Sequence, residues 1–294
     1  MWSGIVLNLA CGLLFAVLGA ILARAAEKKI DVYSYYFWGS MFAFAGSCVM
    51  VKWVCPTEVS RFRELAFWMF LGSMFNNAGH LLLYYNLKNY HRAASWAVAM
   101  SSLSVPFAAA LLFWHEPVTA GGLGGLGLIL AGIGLLAAAR RDAGTGRVCL
   151  KWLGLAVANL LGYGLAQVCM SVPSHWPGWS DTAHLRTPLS ALFCGLQQLL
   201  ILRWLLKRQP EKKAIGIALV YSLVYMAALI GIYAALDVLS HYRQSRIFWP
   251  LGSGSCIVIF TIYSHVVKKE YFSWLDMSGL AVIIAGLAFL SGVL

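Results

Sequence analysis

The chain has 294 residues, of which 61% are hydrophobic and 11% charged, and its formal net charge is +11. Soluble domains carry about 25% charged residues, so the composition excludes an ordinary soluble domain and indicates an integral membrane protein. We therefore expect a lipid bilayer around the chain. In a soluble protein the high net positive charge would suggest a nucleic-acid partner, but in a membrane protein the positions of Lys and Arg report orientation, so we expect no nucleic-acid partner.

Ten stretches are long enough to cross a membrane, since a spanning helix needs roughly 20 apolar residues. They cover residues 4–24, 32–54, 64–87, 93–114, 118–139, 148–172, 183–206, 214–239, 246–267 and 273–293. The sequence therefore predicts an all-α integral membrane fold of ten transmembrane helices. The first stretch is interpreted as a helix and not a secretory signal, because no Lys or Arg precedes it and its apolar run is too long.

The basic residues are distributed unevenly between the loops. Sixteen of the 22 Lys and Arg lie nearest the loops that follow predicted helices 1, 3, 5, 7 and 9. The positive-inside rule places these loops in the cytoplasm and both termini outside. The basic runs are interpreted as topology signals and lipid headgroup contacts. Short loops suit a bacterial cytoplasmic (inner) membrane.

Part of the first half of the chain recurs in the second half at a constant offset of 154 residues. The recurring residues are Glu116, Gly125 and Gly132 in the first copy and Glu270, Gly279 and Gly286 in the second. Residues 1–143 and 144–294 are thus predicted to be two five-helix repeats. Because five is odd, the second copy must cross the membrane in the opposite sense, and such inverted repeats are typical of secondary transporters that work by alternating access.

The repeated residues are predicted to be structural. Thr119 and Ser273 are placed to cap the N-termini of helices 5 and 10. Glu116 and Glu270 lie where a carboxylate can meet exposed helix amides or a loop cation. Gly121, Gly125 and Gly132 give helix 5 a small face for close helix packing.

These motifs resemble the drug/metabolite transporter (DMT) superfamily, specifically its ten-helix EamA-like branch. The most specific segments are Val105-Pro106-Phe107-Ala108-Ala109, Glu116-Pro117-Val118-Thr119, Leu128-Ile129-Leu130-Ala131-Gly132, Glu270-Tyr271-Phe272-Ser273 and Ile283-Ile284-Ala285-Gly286. The resemblance implies that helices 1–4 and 6–9 surround a central cavity, with helices 5 and 10 packed behind it. It also implies transport of a small-molecule substrate.

Polar side chains within an apolar helix usually face the bundle interior or a water-filled cavity. The best set is in helix 3, where five polar residues fall at i, i+3, i+4, i+7 and i+11 on one stripe. They are Ser73, Asn76, Asn77, His80 and Tyr84. We expect this stripe to line the substrate cavity, and the alternative is that these groups hydrogen-bond neighbouring helices.

Other helices supply further candidates for substrate binding. They are Tyr163 and Gln167 in helix 6, Gln197 in helix 7, Tyr225 in helix 8 and Trp249 in helix 9, with Trp38 and Trp96 as further aromatic candidates. Asn8 and Asn159 recur by duplication, so they are either a structural pair or cavity residues. Trp residues near helix ends, among them Trp152 and Trp274, are interpreted as an interfacial belt.

No Asp or Glu lies at mid-membrane depth in the sequence. The small multidrug-resistance relatives in this superfamily use such a carboxylate to exchange protons for cations, so a proton-coupled exporter of hydrophobic cations is disfavoured. A neutral or zwitterionic, amino-acid-like metabolite fits the polar lining better. An organic anion remains possible if Arg186 and Arg246 reach inward. His80 is either a carrier of the coupling proton or a structural histidine.

The leading hypothesis is therefore a secondary transporter of a small polar metabolite, as a monomer or homodimer. The alternatives are a non-transporting receptor or assembly subunit on the same fold, or a carrier of an organic anion or a lipid-like substrate. A membrane enzyme is not expected, because the chain lacks a recognisable nucleophile with its base, a carboxylate pair or a metal motif. The seven cysteines show no metal-ligand spacing, so no cofactor or metal is expected.

Overall fold

The computed structural model describes residues 2–50, 61–113, 120–139, 149–176, 180–241 and 248–290. These residues are helical and contain no β-strand. The helices are α1 (Trp2–Glu27), α2 (Val32–Met50), α3 (Phe62–Asn89), α4 (Arg92–Met100), α5 (Ser104–Phe113), α6 (Ala120–Ala138), α7 (Leu150–Ser171), α8 (Ser180–Leu200), α9 (Ile215–His241), α10 (Phe248–Val266) and α11 (Trp274–Leu290).

The all-α prediction is confirmed, and a helix occupies each of the ten predicted stretches. α4 and α5 together fill the fourth stretch, because the 3-10 turn Ser101–Leu103 joins them end to end. Within the described ranges, three helical segments are long and apolar enough to cross a membrane: Ser3–Glu27, Leu150–Met170 and Leu185–Leu205. The fold is consistent with a membrane protein.

The outer surface of the bundle is apolar along whole helix faces. In α1 the exposed residues Val6, Leu9, Leu13 and Val17 follow each other at intervals of three or four and lie on one face. Large contiguous apolar surfaces are rare on soluble monomers. A hydrocarbon environment accounts for them, because lipid tails are as apolar as leucine.

The helices pack in a pattern that joins the two halves of the chain. α1 packs against α9 and α10, while α7 packs against α3, α4 and α5. α2 packs against α8 and α9, and α8 packs against α2 and α3. α6 packs most extensively against α11. Most of these contacts therefore run between residues 1–143 and residues 144–294.

α6 and α11 cross with almost no space between their backbones. A β-carbon on Gly132 would lie 2.8 Å from the carbonyl oxygen of Gly279, and one on Gly286 would lie 2.8 Å from that of Gly125. Glycine is therefore needed at both crossings. Ile129 and Ile283 are fully buried in the same core cluster. The predicted role of these glycines in close helix packing matches this geometry.

The connection between α1 and α2 is a short turn with two stabilised helix ends. Lys29 adopts the left-handed conformation (φ 52°) and donates its amide to Ala26 O at 3.1 Å, which closes the C-terminus of α1. Asp31 accepts from both the amide and the hydroxyl of Ser34, at 2.8 and 2.6 Å, which caps the N-terminus of α2.

Candidate functional site

A cavity of about 210 Å³ lies between the helices. Its walls come from α1, α2, α3, α4, α7, α9 and α10, and none of its lining residues belongs to α6, α8 or α11. The lining residues are Asn8, Cys11, Phe15, Leu18, Leu22, Tyr36, Asn76, His80, Leu83, Trp96, Met100, Ser102, Tyr163, Gln167, Tyr221, Tyr225, Gly252, Ser253 and Cys256. This set contains no Asp, Glu, Lys or Arg.

An aromatic wall runs along one side of the cavity and crosses four helices. The rings of Tyr36 and His80 stack with centroids 4.4 Å apart and planes at 13°. The ring of Tyr163 meets His80 edge-on at 5.2 Å. Tyr221 stacks on Tyr225 at 5.7 Å and lies 6.0 Å from Tyr36. The wall therefore connects α2 and α3 to α7 and α9 by ring contacts.

Two residues of the helix 3 stripe line the cavity, Asn76 and His80. The side-chain nitrogen of Asn76 lies 3.4 Å from His80 Nδ1. An amide nitrogen can only donate, so Nδ1 accepts and the neutral imidazole carries its proton on Nε2. This arrangement of Asn76 favours that tautomer of the histidine.

Asn77, the next residue of the stripe, faces α8 and not the cavity. Its side-chain nitrogen donates to Gln197 Oε1 at 2.9 Å and to Cys194 O at 3.2 Å. Gln197 in turn donates to Phe70 O at 3.0 Å. Asn77 and Gln197 therefore join α3 to α8, which is the alternative role for polar groups in these helices.

The two outer members of the stripe also bond to neighbouring segments. The hydroxyl of Ser73 donates to Ser190 O at 3.0 Å, and that of Tyr84 donates to Ile30 O at 2.6 Å. Neither residue lines the cavity. The stripe is thus divided between cavity lining and helix–helix contact.

Gln167 lines the cavity beside the break between α4 and α5. Its Nε2 donates to Ser102 Oγ at 3.2 Å. The break has a local cause, because Pro106 has no N–H to donate to the carbonyl of Ser102 four residues earlier. The hydroxyl of Ser101 bonds back to Ala97 O at 2.8 Å. The serine-rich turn therefore presents a hydroxyl to the cavity.

The remaining aromatic candidates occupy different places. Tyr225 and Trp96 line the cavity, and the indole N–H of Trp96 points at Cys256 Sγ at 3.2 Å. Trp38 is not among the lining residues and stacks against Phe42. The side chain of Trp249 lies outside the described residues.

Asn8 and Asn159 have different surroundings. Asn8 lines the cavity, where Gly252 leaves room for its side chain. Asn159 is buried between helices and donates to Gly79 O at 2.6 Å. Asn8 therefore lies at the cavity, whereas Asn159 lies in the contact between α3 and α7.

Sequence reasoning missed two of the central tyrosines, Tyr36 and Tyr221. Tyr221 precedes Tyr225 by four residues, so the same helical spacing that selected Tyr225 could have selected it as well. Tyr36 lies within one turn of the predicted start of helix 2, where a tyrosine is usually interpreted as interfacial. No local signal distinguishes it from such a residue.

One end of the bundle carries a network of ion pairs, here called the ionic end. Arg92 contacts Glu27 at 3.0 Å and Glu270 at 3.3 Å, and Glu27 also contacts Lys268 at 2.6 Å. Arg208 pairs with Asp31. These residues come from the α1–α2, α3–α4, α8–α9 and α10–α11 connections, so four of the five basic loops meet at the same end.

Glu270 has the role predicted for it. Its carboxylate accepts from the amides of Arg92 and Ala93 at 3.1 and 3.4 Å, at the N-terminus of α4. It also lies 3.4 Å from the ring nitrogen Nδ1 of His91. The carboxylate thus meets both exposed helix amides and a cation, the guanidinium of Arg92 at 3.3 Å. Its counterpart Glu116 lies outside the described residues, as do Thr119 and Arg246.

Of the two arginines proposed to reach inward, the structure describes only Arg186. Arg186 is buried near the start of α8 and is not a lining residue. Within the described part of the chain, no group of three His, Cys, Asp or Glu residues is arranged to hold a metal.

Comparison with known proteins identifies a shared fold and indicates no function. No protein-family model matches the sequence, and no curated protein does. Sixteen chains of solved structures match. One of them, described only as the crystal structure of a protein, superimposes with a TM-score of 0.60 over 99% of each chain at 15% sequence identity. The chain therefore shares its fold over its whole length with a solved protein structure.

Proposed function

We propose that this protein is a secondary transporter that carries a small polar metabolite, neutral or zwitterionic, through the membrane by alternating access. Its ten helical stretches would each cross the bilayer, and residues 1–143 and 144–294 would be two inverted five-helix repeats. The observation that carries the proposal is the cavity between the halves, lined by polar and aromatic groups inside an apolar helical bundle.

The glycine contacts between α6 and α11 support the repeat. At the 154-residue offset Gly125 corresponds to Gly279, and Gly132 corresponds to Gly286. The approach of Gly286 to Gly125 is then the counterpart of the approach of Gly132 to Gly279. Reciprocal contacts of this kind are what a two-fold axis between the two helices requires.

The packing order of the other helices supports the same symmetry. Exchange of the halves converts α1 into α7, α9 into α3, and α10 into α4 with α5. The contacts of α1 with α9 and α10 then become the contacts of α7 with α3, α4 and α5, and both sets occur. The contact of α2 with α9 likewise becomes that of α8 with α3. A site between such halves can open to either side by the same motion.

The adjacent residues Asn76 and Asn77 provide a matched test of transport. Purified protein reconstituted in liposomes should show saturable uptake that unlabelled substrate inhibits. Asn76→Ala removes a cavity group and should reduce uptake, while Asn77→Ala removes a contact with α8 and should leave the uptake per folded molecule unchanged. Equal uptake by Asn76→Ala and wild type would count against the cavity as the substrate site.

A coupling proton, if transport uses one, would reside on His80. It is the only imidazole among the lining residues, and it lies between Tyr36 and Tyr163. Uptake driven by an imposed pH gradient should then be lost in His80→Gln. The same variant should still exchange labelled for unlabelled substrate across the liposome membrane. Gradient-driven uptake by that variant would exclude the role.

We place the protein in a bacterial cytoplasmic membrane with the ionic end inside and both termini outside. The positive-inside rule supports this orientation, because four of the five basic loops are gathered at the ionic end. Labelling of single cysteines introduced at Lys28 or Lys268 in intact cells tests it. An impermeant reagent should leave both positions unlabelled until the cells are opened.

A further inference from the structure

The described residues that line the cavity offer no counter-ion to a charged ligand. None of its 19 lining residues is Asp, Glu, Lys or Arg, and only His80, the tyrosines and the cysteines can ionise. The ion-paired residues Glu27, Arg92 and Glu270 contact one another at the ionic end and do not line it. Transfer of an unpaired ion from water to such a site is costly, and a zwitterion brings two ions.

Gln167, which lines the cavity, carries an acceptor that no described residue uses. Its Nε2 donates to Ser102 Oγ, which orients the amide, and its Oε1 is buried without a donor among the described residues. A buried carbonyl oxygen without a partner costs free energy. A ligand that donates an O–H or N–H group to Oε1 would remove that cost.

Tyr36 presents a second unused polar group. The residue is 2% exposed, and its hydroxyl has no hydrogen-bond partner in the part of the chain that the structure describes. The ring is held between His80 and Tyr221 by the contacts of the aromatic wall. Its hydroxyl can donate or accept, so it can bond to either kind of polar group on a ligand.

The size of the cavity limits the ligand to a small molecule. Its volume of about 210 Å³ admits a few waters or one small molecule. This is below the range of about 300–1,000 Å³ that is typical of sites for drug-sized ligands.

We infer that the cavity selects an uncharged molecule of this size, with an O–H or N–H donor for Gln167 Oε1 and a polar group for the hydroxyl of Tyr36. The inference rests on the proposed function, since it assumes that this cavity is the substrate site. It narrows the substrate class from neutral or zwitterionic to uncharged. A zwitterionic amino acid is disfavoured because its carboxylate and its ammonium would both lack a partner of opposite charge among the described lining residues.

Matched sets of compounds that differ mainly in charge test the inference. The probes are glucose with glucosamine and glucuronate, uracil with orotate, and N-acetylserine amide with serine. Each is added to the purified full-length protein, and the melting temperature is measured, because a ligand that binds the native state raises it. We expect shifts from one or more uncharged members, and smaller or no shifts from their charged counterparts.

Variants then locate the binding. Gln167→Leu should raise the dissociation constant of a stabilising compound at least about tenfold, and Tyr36→Phe should raise it about three- to tenfold. Gln197→Leu is the matched control, because Gln197 bonds to α3 outside the cavity. Without ligand, Tyr36→Phe should melt at or above the wild-type temperature. The hydroxyl that it removes is buried without a hydrogen-bond partner among the described residues, so its loss removes no favourable contact there.

Three results would overturn the inference: no uncharged compound stabilises the protein, a charged member binds more tightly than its uncharged counterpart, or Gln167→Leu binds as wild type does. Uptake assays separate this failure from failure of the proposed function. An uncharged ligand that binds in the cavity but is never transported would refute transport and leave the inference standing. Transport of a zwitterion would support the proposed function and refute the inference that the cavity selects an uncharged molecule.

Discussion

Substitution of Gly132 by alanine tests the crossing of α6 and α11. The new β-carbon would lie 2.8 Å from Gly279 O, 3.0 Å from Ile283 N and 2.6 Å from Ile283 Cγ1. Two of these atoms belong to backbone, so a side-chain rotation cannot relieve the overlap and the helices must separate. Overpacking of this kind costs about 1–3 kcal/mol. At about 2 °C per kcal/mol for a chain of this size, the melting temperature should fall by about 2–6 °C.

The assay is thermal unfolding of purified protein in one detergent at one scan rate, because the unfolding of such proteins is often irreversible. Gly134→Ala is the control on the same helix, since its β-carbon would meet nothing within 4 Å. It should melt at or slightly above the wild-type temperature, because alanine favours the helix by up to about 1 kcal/mol. Gly286→Ala, the repeat counterpart of Gly132→Ala, should lower the melting temperature by a similar amount.

Two outcomes would refute this reasoning in different ways. If Gly132→Ala and Gly134→Ala melt alike, the close approach of the two helices is wrong. If Gly132→Ala is destabilised and Gly286→Ala is not, the helices are close but the two-fold relation between them is wrong.

Three further predictions concern the ionic end and the N-terminus of α11. Arg92→Gln breaks both ion pairs of that arginine, which connect neighbouring loops at the ionic end. Reagents should then reach the cavity more easily, so the alkylation of Cys256, measured by mass spectrometry, should be faster than in the wild type. Arg61→Gln, which removes a half-exposed ion pair, is the control and should leave the alkylation rate unchanged. High salt should speed the same alkylation in the wild type, because it screens exposed charges and so weakens the ion pairs of the ionic end. A rate independent of salt would mean that these ion pairs do not control access to the cavity. Ser273→Ala removes the hydroxyl that accepts from the amide of Asp276 at 3.2 Å and should cost about 1 kcal/mol in thermal unfolding, with Ser273→Thr close to wild type.

The positions of the helices could be predicted from the sequence because a long apolar run is a strong signal. The division of the helix 3 stripe could not, although helical geometry explains it afterwards. At about 100° per residue, His80 lies about 40° around α3 from Asn76, and Asn77 lies about 100° away. A stripe this wide meets the cavity along one edge and α8 along the other. Periodicity defines the stripe, but only the position of the neighbouring helix decides which edge is which.

The tryptophans near helix ends show a similar limit. Trp274 is 84% exposed, as expected for an interfacial belt, but Trp152 is fully buried and donates its indole N–H to Ser95 Oγ at 3.0 Å. The interfacial interpretation of Trp152 is therefore wrong. Both residues lie within one turn of a helix start, so sequence position is the same in the two cases. The difference arises because α4 packs over the beginning of α7, a contact between distant parts of the chain.

The separation of α6 and α11 from the cavity has a consequence for how such a protein can diverge. These two helices hold their glycines against each other's backbone, yet they contribute no lining residue. A substitution at Met100 or Tyr225 can therefore change what the cavity accepts without disturbing the crossing. Selection can alter what the cavity binds repeatedly while the crossing stays constant, so chains of this architecture can share a shape long after their sequences and ligands have ceased to resemble one another.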